Sequence, residues 1–486
     1  MPEQVINDLK PEILWERFYE ITKIPRPSKK EEKILKYFKD LFSSLNVPFK
    51  QDKTGNIIAY VPATKGHEKA TVVILQGHVD MVCEKNKGTV HDFDNDALKL
   101  KNVDGWIAAE GTTLGSDNGI GIAAAAAIIS DKDAVHGPIE ILLTVDEETG
   151  LTGANELEPK YLSGKILLNL DSEEDGTFYV GCAGGIDTEG IFQLEFEDTP
   201  AGYSAFELMI SGLKGGHSGS EINAGRANAI KLLARTLIEL DATEYKLGFL
   251  TGGSKRNAIP READALIFIK TSLISQAEKL IKEFEAKLIC EFKTSDGGLK
   301  VELKKLSSGT NKIITEEFRK KIINTLMAIP HGVISMSQDI PNLVETSTNL
   351  ATVTFDKNIL TIGTSQRSSI ESAKDYIVQS VTSVLGLAEV KIISADGYPG
   401  WKPNINSEIL NISKKVYLDL FKSEPEIKAI HAGLECGLLG DKIEGLDMIS
   451  FGPTITGAHS PDEMVNIKTV DKFYELLKGI LKKIAS

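Results

Sequence analysis

Leu14, Phe18 and Ile21, then Ile34, Phe38 and Leu41, recur every three or four residues, the period of an amphipathic helix. The spacing predicts helix over residues 11–46, broken in two by Pro25 and Pro27. Three later apolar runs, 70–75 (ATVVIL), 139–145 (IEILLTV) and 166–170 (ILLNL), are short and rich in Val, Ile and Leu. They read as strands, with an Ala-rich helix at 120–130 between the first two. Apolar runs without alternation belong to strands covered on both faces, so an α/β sheet flanked by helices is predicted. From about residue 187 to 399 the texture changes. Residues 206–211, 265–270 and 351–355 alternate in strand fashion, and 226–240 and 275–292 are helical in period. This predicts an inserted α+β domain at 187–399, with the turn-rich stretch 395–403 returning the chain to the first domain, 1–186 and 400–486.

Each predicted strand of the first domain runs directly into polar residues. Gln76-Gly77-His78-Val79-Asp80 follows the first, Asp146-Glu147-Glu148 the second and Asp171-Ser172-Glu173-Glu174 the third. A fourth run, 448–451, leads through Gly452-Pro453 towards His459. Ligands of open α/β sheets sit beyond the carboxyl ends of the strands, so these residues are candidates for one site. His78, Asp117, Glu148, Asp171 and His459 could converge there. Two imidazoles with three carboxylates suit Zn²⁺, Mn²⁺ or Co²⁺ better than Ca²⁺ or Mg²⁺, which prefer oxygen alone. Five ligands are too many for one tetrahedral ion. They suit two ions sharing a carboxylate and a bridging water, about 3.5–4 Å apart.

Asp80, two residues beyond His78, can reach the far imidazole nitrogen and fix its tautomer. Glu147 and Glu148 are adjacent, so one turn can place one on metal and leave the other free as a general base. His67, His91, His136 and His331 have no such setting, and Asp92, Asp94 and Asp96 lack the spacing of a calcium loop. Gly119-Ile120-Gly121-Ile122-Ala123-Ala124 fits a dinucleotide-binding pattern, but the polar residues 112–117 before it are no strand. Its glycines are expected instead to form the turn that presents Asp117.

A chain of 486 residues is expected to form two or three domains. Its formal net charge of −14 speaks against nucleic-acid or anionic-membrane partners. The most apolar segment, 120–130, is too short to span a bilayer. The N-terminal residues carry charges throughout and show no secretory h-region, and the four cysteines lie far apart, so reduced thiols and a cytoplasmic protein are expected.

The candidate residues stand in longer strings: GHVDMV (77–82), TTLGSDNGIG (112–121), DEETGL (146–151), LDSEEDG (170–176), GGHSG (215–219), HAGLECG (431–437) and GPTITGAHSPDE (452–463). In this order they resemble the M20 metallopeptidases, in particular their aminoacyl-histidine dipeptidase branch, over nearly the whole chain. The resemblance implies a zinc-peptidase catalytic domain with a mixed central sheet flanked by helices, plus an α+β lid. It implies two divalent ions per chain, zinc before cobalt or manganese. His78 and Asp171 match the ligands of one ion, Glu148 and His459 those of the other, and Asp117 the bridge. Asp80 resembles the residue orienting the metal-binding histidine, Glu147 the catalytic base and His217 the lid histidine that stabilises the oxyanion. Arg367 resembles the clamp on the substrate's terminal carboxylate. Asn257 and Gly433 are candidates for the substrate pocket, and Glu435 for the substrate's ammonium group. The implied reaction is hydrolysis of dipeptides, Xaa-His and carnosine-like ones included, in a homodimer whose lid closes over the site, although this insert is long enough for a doubled lid. The alternatives are an N-acyl amino acid deacylase of the same superfamily and a catalytically dead binding protein, against which the presence of Glu147 speaks.

Overall fold

The runs read as buried strands lie side by side. Val73–His78 pairs in parallel with Ile139–Thr144 on one side and Ile166–Asn169 on the other, and Asp447–Ser450 continues the parallel core beyond the latter. Ile57–Val61 and Phe49–Gln51 add antiparallel strands at one edge; at the other, Thr177–Cys182 runs antiparallel and Glu426–Ile430 closes the eight-stranded sheet. Every residue of Val73–His78 and Ile139–Thr144 is buried. Each large aliphatic side chain so covered contributes about 1.5–3 kcal/mol.

The computed structural model describes residues 5–307 and 312–486; residues 1–4 of the charged N-terminal segment and 308–311 of the inserted segment lie outside the described residues. Two compact units result, one of residues 1–181, 403–429 and 434–486, the other of 182–402 and 430–433. Gly433 thus belongs to the second unit.

In the first unit the N-terminal helical region is two helices, Glu12–Thr22 and Glu32–Ser44, and the former packs on helix Ser116–Ser130, which lies on strand Val73–His78. Gly121 lets the helix also come close to the end of strand Ile166–Asn169: a Cβ there would sit 2.4 Å from the Leu170 carbonyl oxygen. Gly119 and Gly121 of the dinucleotide-like string lie inside the helix and not, as expected, in the turn that presents Asp117, where Gly115 takes the positive φ instead. A smaller antiparallel sheet joins Ile455–Thr456, Met464–Asn466, Trp106–Ala109 and Leu100–Val103.

One boundary differs from the prediction in a way that matters. The first central strand starts at Val73 rather than residue 70 and continues to His78, taking in Gln76 and Gly77 from the polar stretch expected to follow it. Gln76 can remain in the ladder, buried, because its amide donates to Glu435 Oε2 at 2.5 Å and Thr144 Oγ1 at 3.2 Å while its carbonyl accepts from Asn169.

The second unit is built on a nine-stranded sheet. The order is Lys300–Lys305, Tyr203–Ser211, Ala263–Lys270, Lys246–Gly252, Val344–Asp356, Ile359–Ser368, Gly184–Gln193, Lys391–Ser394, with Gly332–Met336 also beside Val344–Asp356. Its pairings are antiparallel. Helices Ala229–Glu239, Ile274–Phe292, Glu316–Ala328 and Glu371–Leu387 accompany it, and a core that includes Phe206, Leu233, Leu237, Ile267 and Ile362 fills its interior. Among the described residues no helix is long and apolar enough to cross a membrane.

Asn228 starts helix Ala229–Glu239: its Oδ1 accepts from the N–H groups of Ile230 and Lys231, and its Nδ2 donates to the Leu350 carbonyl at 2.8 Å. Asn228→Ala removes the cap and leaves a buried carbonyl unpaired. A loss of about 1–3 kcal/mol is expected in urea unfolding; a change below about 0.3 kcal/mol would contradict the cap's role.

Candidate metal centre

Three neighbouring parallel strands deliver polar side chains at their carboxyl ends. His78 is the last residue of its strand, Asp171 follows Ile166–Asn169, and Glu147 and Glu148 begin a one-turn helix after Ile139–Thr144. Asp117 lies in the first turn of helix Ser116–Ser130, where it and Asn118 depart from helical φ/ψ and the peptide between them is cis. Asn118 Nδ2 donates to the Leu170 carbonyl at 2.7 Å, tying this turn to the strand before Asp171. His459 arrives from the smaller sheet, in a turn where its φ is 62°.

These residues meet in two triads with one member in common. His78 Nε2 lies 3.0 Å from Asp117 Oδ1 and 3.4 Å from Asp171 Oδ1. His459 Nε2 lies 3.1 Å from Asp117 Oδ2 and 3.0 Å from Glu148 Oε2. Asp117 therefore turns one oxygen to each imidazole. In both triads, His78–Asp117–Asp171 and Asp117–Glu148–His459, one ligand atom from each residue lies within 4.8 Å of the others. Glu148 Oε1 is buried and has no hydrogen-bond partner among the described residues. Imidazole nitrogens with carboxylate oxygens are the donor set of a borderline divalent cation, and the residues fit one in each triad.

Asp80 supports both sides of the cluster. Its Oδ1 lies 3.3 Å from His78 Nδ1, and its carboxylate accepts from Ser28 Oγ at 2.8 Å and from the N–H groups of Glu147 and Glu148 at 3.1 and 3.2 Å. Burial works against its charge, but His78 and these donors hold its carboxyl down at about 2. A further buried group, Glu31 and Asp146 around the same Asp80, is satisfied by the protein itself: Glu31 accepts from the N–H groups of Lys29 and Asp146, and Asp146 from Thr149 and Thr152. Among the described residues His67, His91, His136 and His331 join no such cluster.

The electrostatics match a cation site. Burial and neighbouring acids push the Glu147 and Asp171 carboxyls well above their ordinary range. Burial also raises Glu173 and Glu435 to about 7. Hydrogen bonds to Asp117 and Glu148 raise His459 to about 11, and His78 is raised by Asp171, Asp117 and Asp80 although burial opposes it. The field that holds these protons favours divalent cations at the same atoms.

Glu435 begins helix Glu435–Lys442 and is fully buried; its Oε2 accepts from Gln76 and from Thr144 Oγ1 at 2.7 Å. The remaining candidates belong to the second unit. His217 sits in the two-residue strand Gly216–His217, paired with Ala258–Ile259, and the Ser218 N–H donates to the Asn257 carbonyl at 2.9 Å. His217 Nδ1 accepts from the N–H groups of Gly219 and Ser220 at 3.2 and 3.1 Å. Burial and Arg367 hold its pKa below the usual value, so it is a neutral ring with the proton on Nε2. Arg367 Nη1 donates to Tyr398 Oη at 2.8 Å. A Cβ on Gly433 would come within 2.9 Å of the Tyr398 ring, so only glycine fits beside it.

Three contributors escape sequence reasoning. Arg26, buried between Pro25 and Pro27, donates to the carbonyls of Val79, Asp80 and Gly115. Glu463 lies in the string 452–463 but carries no mark separating it from any surface glutamate. Tyr398 sits in a stretch legible only as a turn.

A cluster of imidazoles and carboxylates at the ends of parallel strands is the kind of site that metal-dependent hydrolases use. Comparison narrows the class. The chain belongs to peptidase family M20/M25/M40, which it matches over residues 74–483. It is 42% identical over 481 residues to the cytosol non-specific dipeptidase of Escherichia coli (strain K12), covering 99% of both chains. The crystal structure of aminoacylhistidine dipeptidase from Vibrio alginolyticus superposes with a TM-score of 0.90 at 40% identity, covering 98% of this chain and 97% of that one. Aminopeptidase PepT from Bacillus cereus shares the fold at a TM-score of 0.58 and 17% identity, with 98% and 100% covered.

Asp117→Ala should lower the metal content of both positions, as read by elemental analysis; two ions still tightly held would refute the shared carboxylate. Cations entering the site must displace the proton on His459, so affinity should climb as pH rises from about 6 to 8 and binding should release protons. Calorimetry in buffers of different ionisation enthalpy checks this, and a pH-independent affinity would contradict it.

Proposed function

We propose that the protein is a dipeptidase working with two divalent metal ions, zinc foremost and cobalt or manganese as alternatives, and that Xaa-His dipeptides of the carnosine type are among its substrates. The observation that carries the reading is the Asp117 carboxylate, with one oxygen 3.0 Å from His78 and the other 3.1 Å from His459. The relatives support the substrate class: the Escherichia coli protein is named a non-specific dipeptidase and the Vibrio alginolyticus one an aminoacylhistidine dipeptidase. The former name also supports a cytosolic location. An N-acyl amino acid deacylase is not favoured by these names.

When bound, the two ions would polarise the scissile carbonyl and acidify a water molecule for attack. The other tasks fall to side chains. Asp80 fixes the His78 imidazole and, through two backbone N–H groups, the turn that carries Glu147. Burial and neighbouring acids keep the Glu147 carboxyl protonated here; once bound cations displace that proton, we assign its carboxylate to take a proton from the attacking water and deliver it to the leaving amine. We assign the His217 Nε2–H to the oxyanion, a contribution of roughly 3–4 kcal/mol for one well-placed donor. Arg367 is assigned to the substrate's terminal carboxylate, which its planar fork suits better than an ammonium would. Asn257 and Gly433 are assigned to the pocket around that group. Glu435 has no exposed surface to offer an ammonium ion, so we place it instead in the polar floor beneath His78.

Glu147→Gln should retain both ions and lose about 10²–10⁴-fold in kcat; near-wild-type turnover would remove it as the base. With Leu-His as substrate, amidating the C-terminus should raise KM sharply, and unchanged binding would rule out the role of Arg367. Preferred hydrolysis of N-acetyl-His over Leu-His would overturn the dipeptidase reading.

A further inference from the structure

We infer that Glu463 is the positioning residue that holds Asp117 between the two histidines, an inference that rests on the two-ion reading. Glu463 is 2% exposed, and its two oxygens collect the donors of the segment leading into Asp117. Oε2 accepts from the N–H groups of Leu114 at 2.7 Å and Gly115 at 2.8 Å. Oε1 accepts from the Ser116 N–H at 2.7 Å, the Ser116 hydroxyl at 2.6 Å and the Asp117 N–H at 3.3 Å. Four successive amides thus point at one carboxylate, a backbone curl that an anion stabilises. The curl needs Gly115, whose φ is 64° and whose Cβ would meet Arg26 Nη2 at 2.6 Å.

The segment is gripped from its carbonyl side as well. Arg26 donates to the Gly115 carbonyl and to the carbonyls of Val79 and Asp80, directly after His78. Glu463 comes from the loop that supplies His459, and its own N–H donates to the Ser460 carbonyl at 3.1 Å. A single short loop therefore provides one ligand and clamps the carboxylate shared by both triads. That linkage fixes where Asp117 stands relative to His459, which a glutamate that merely satisfied buried amides elsewhere in the fold would not do.

The test uses full-length protein stripped by chelator and reloaded with Mn²⁺, with calorimetry for affinity and electron paramagnetic resonance for magnetic coupling between ions. Wild type is expected to take two coupled ions. Glu463→Gln replaces one acceptor by an NH₂ donor facing N–H groups, so affinity should fall roughly 10–100-fold and the coupled signal should vanish. Glu463→Asp, which keeps both oxygens on a shorter arm, should recover part of each. A folded Glu463→Gln variant with wild-type affinity and coupling overturns the inference, even if its metal-free form melts at lower temperature. Should that variant fail to fold, Ser116→Ala removes a single donor and should weaken Mn²⁺ binding several-fold; no change there also overturns it. Wild-type protein binding fewer than two ions would bring down the two-ion reading and this inference together. An intact pair that survives in Glu463→Gln brings down the inference alone.

Discussion

Carboxylates gathered in a buried place lose their hydration and repel one another, so protons or cations must enter among them. That constraint governs the first unit. Asp117, Asp171, Glu147 and Glu148 crowd around the imidazoles of His78 and His459, with Glu435 fully buried below. Glu147 and Asp171 answer by holding protons and the imidazoles by staying cationic, the state a pair of divalent ions would displace. The sheet sets the positions. Strand register places His78 level with Thr144, and Gln76 level with both Leu142 and Asn169, so residues just beyond the strands emerge at one height. A slip of one residue would turn His78 to the opposite face.

The supporting residues follow from the same constraint. Asp80 and Asp117 are the acids held well ionised: His78, Ser28 and two backbone N–H groups surround the first, and the imidazoles of His459 and His78 flank the second. Arg26 brings a buried positive charge to the carbonyls behind the site, while Glu463 answers the amides ahead of Asp117. The first unit is thus anionic at its centre. The groups suited to a substrate's negative charge, Arg367 and the neutral His217, reside in the second unit.

Much of this was legible in the sequence, for definite reasons. Uninterrupted apolar runs located the central strands because burial on both faces leaves no alternation, and the polar residues ending them are the ones that meet. The seven motif strings added the family, which the match over residues 74–483 bears out. What escaped acts through the backbone or across long separations. Gln76 reads as a polar residue beyond the strand end, and stays in the strand because Glu435, Thr144 and Asn169 satisfy its amide. Arg26 looks like a charged residue in a proline break, yet its partners are carbonyls some fifty to ninety positions away. Glu463 contacts a segment almost 350 positions earlier, and no spacing rule joins the two. The four strands of the smaller sheet are too short, and too polar at Leu100–Val103, to stand out in hydropathy.

Anomalous diffraction from crystals of the zinc-loaded protein, recorded across the zinc edge, tests the central claim most directly. Two peaks about 3.5–4 Å apart are predicted, one beside His78 and Asp171, the other beside Glu148 and His459, with a different oxygen of Asp117 on each. A single peak, or two peaks that do not share Asp117, would contradict the account.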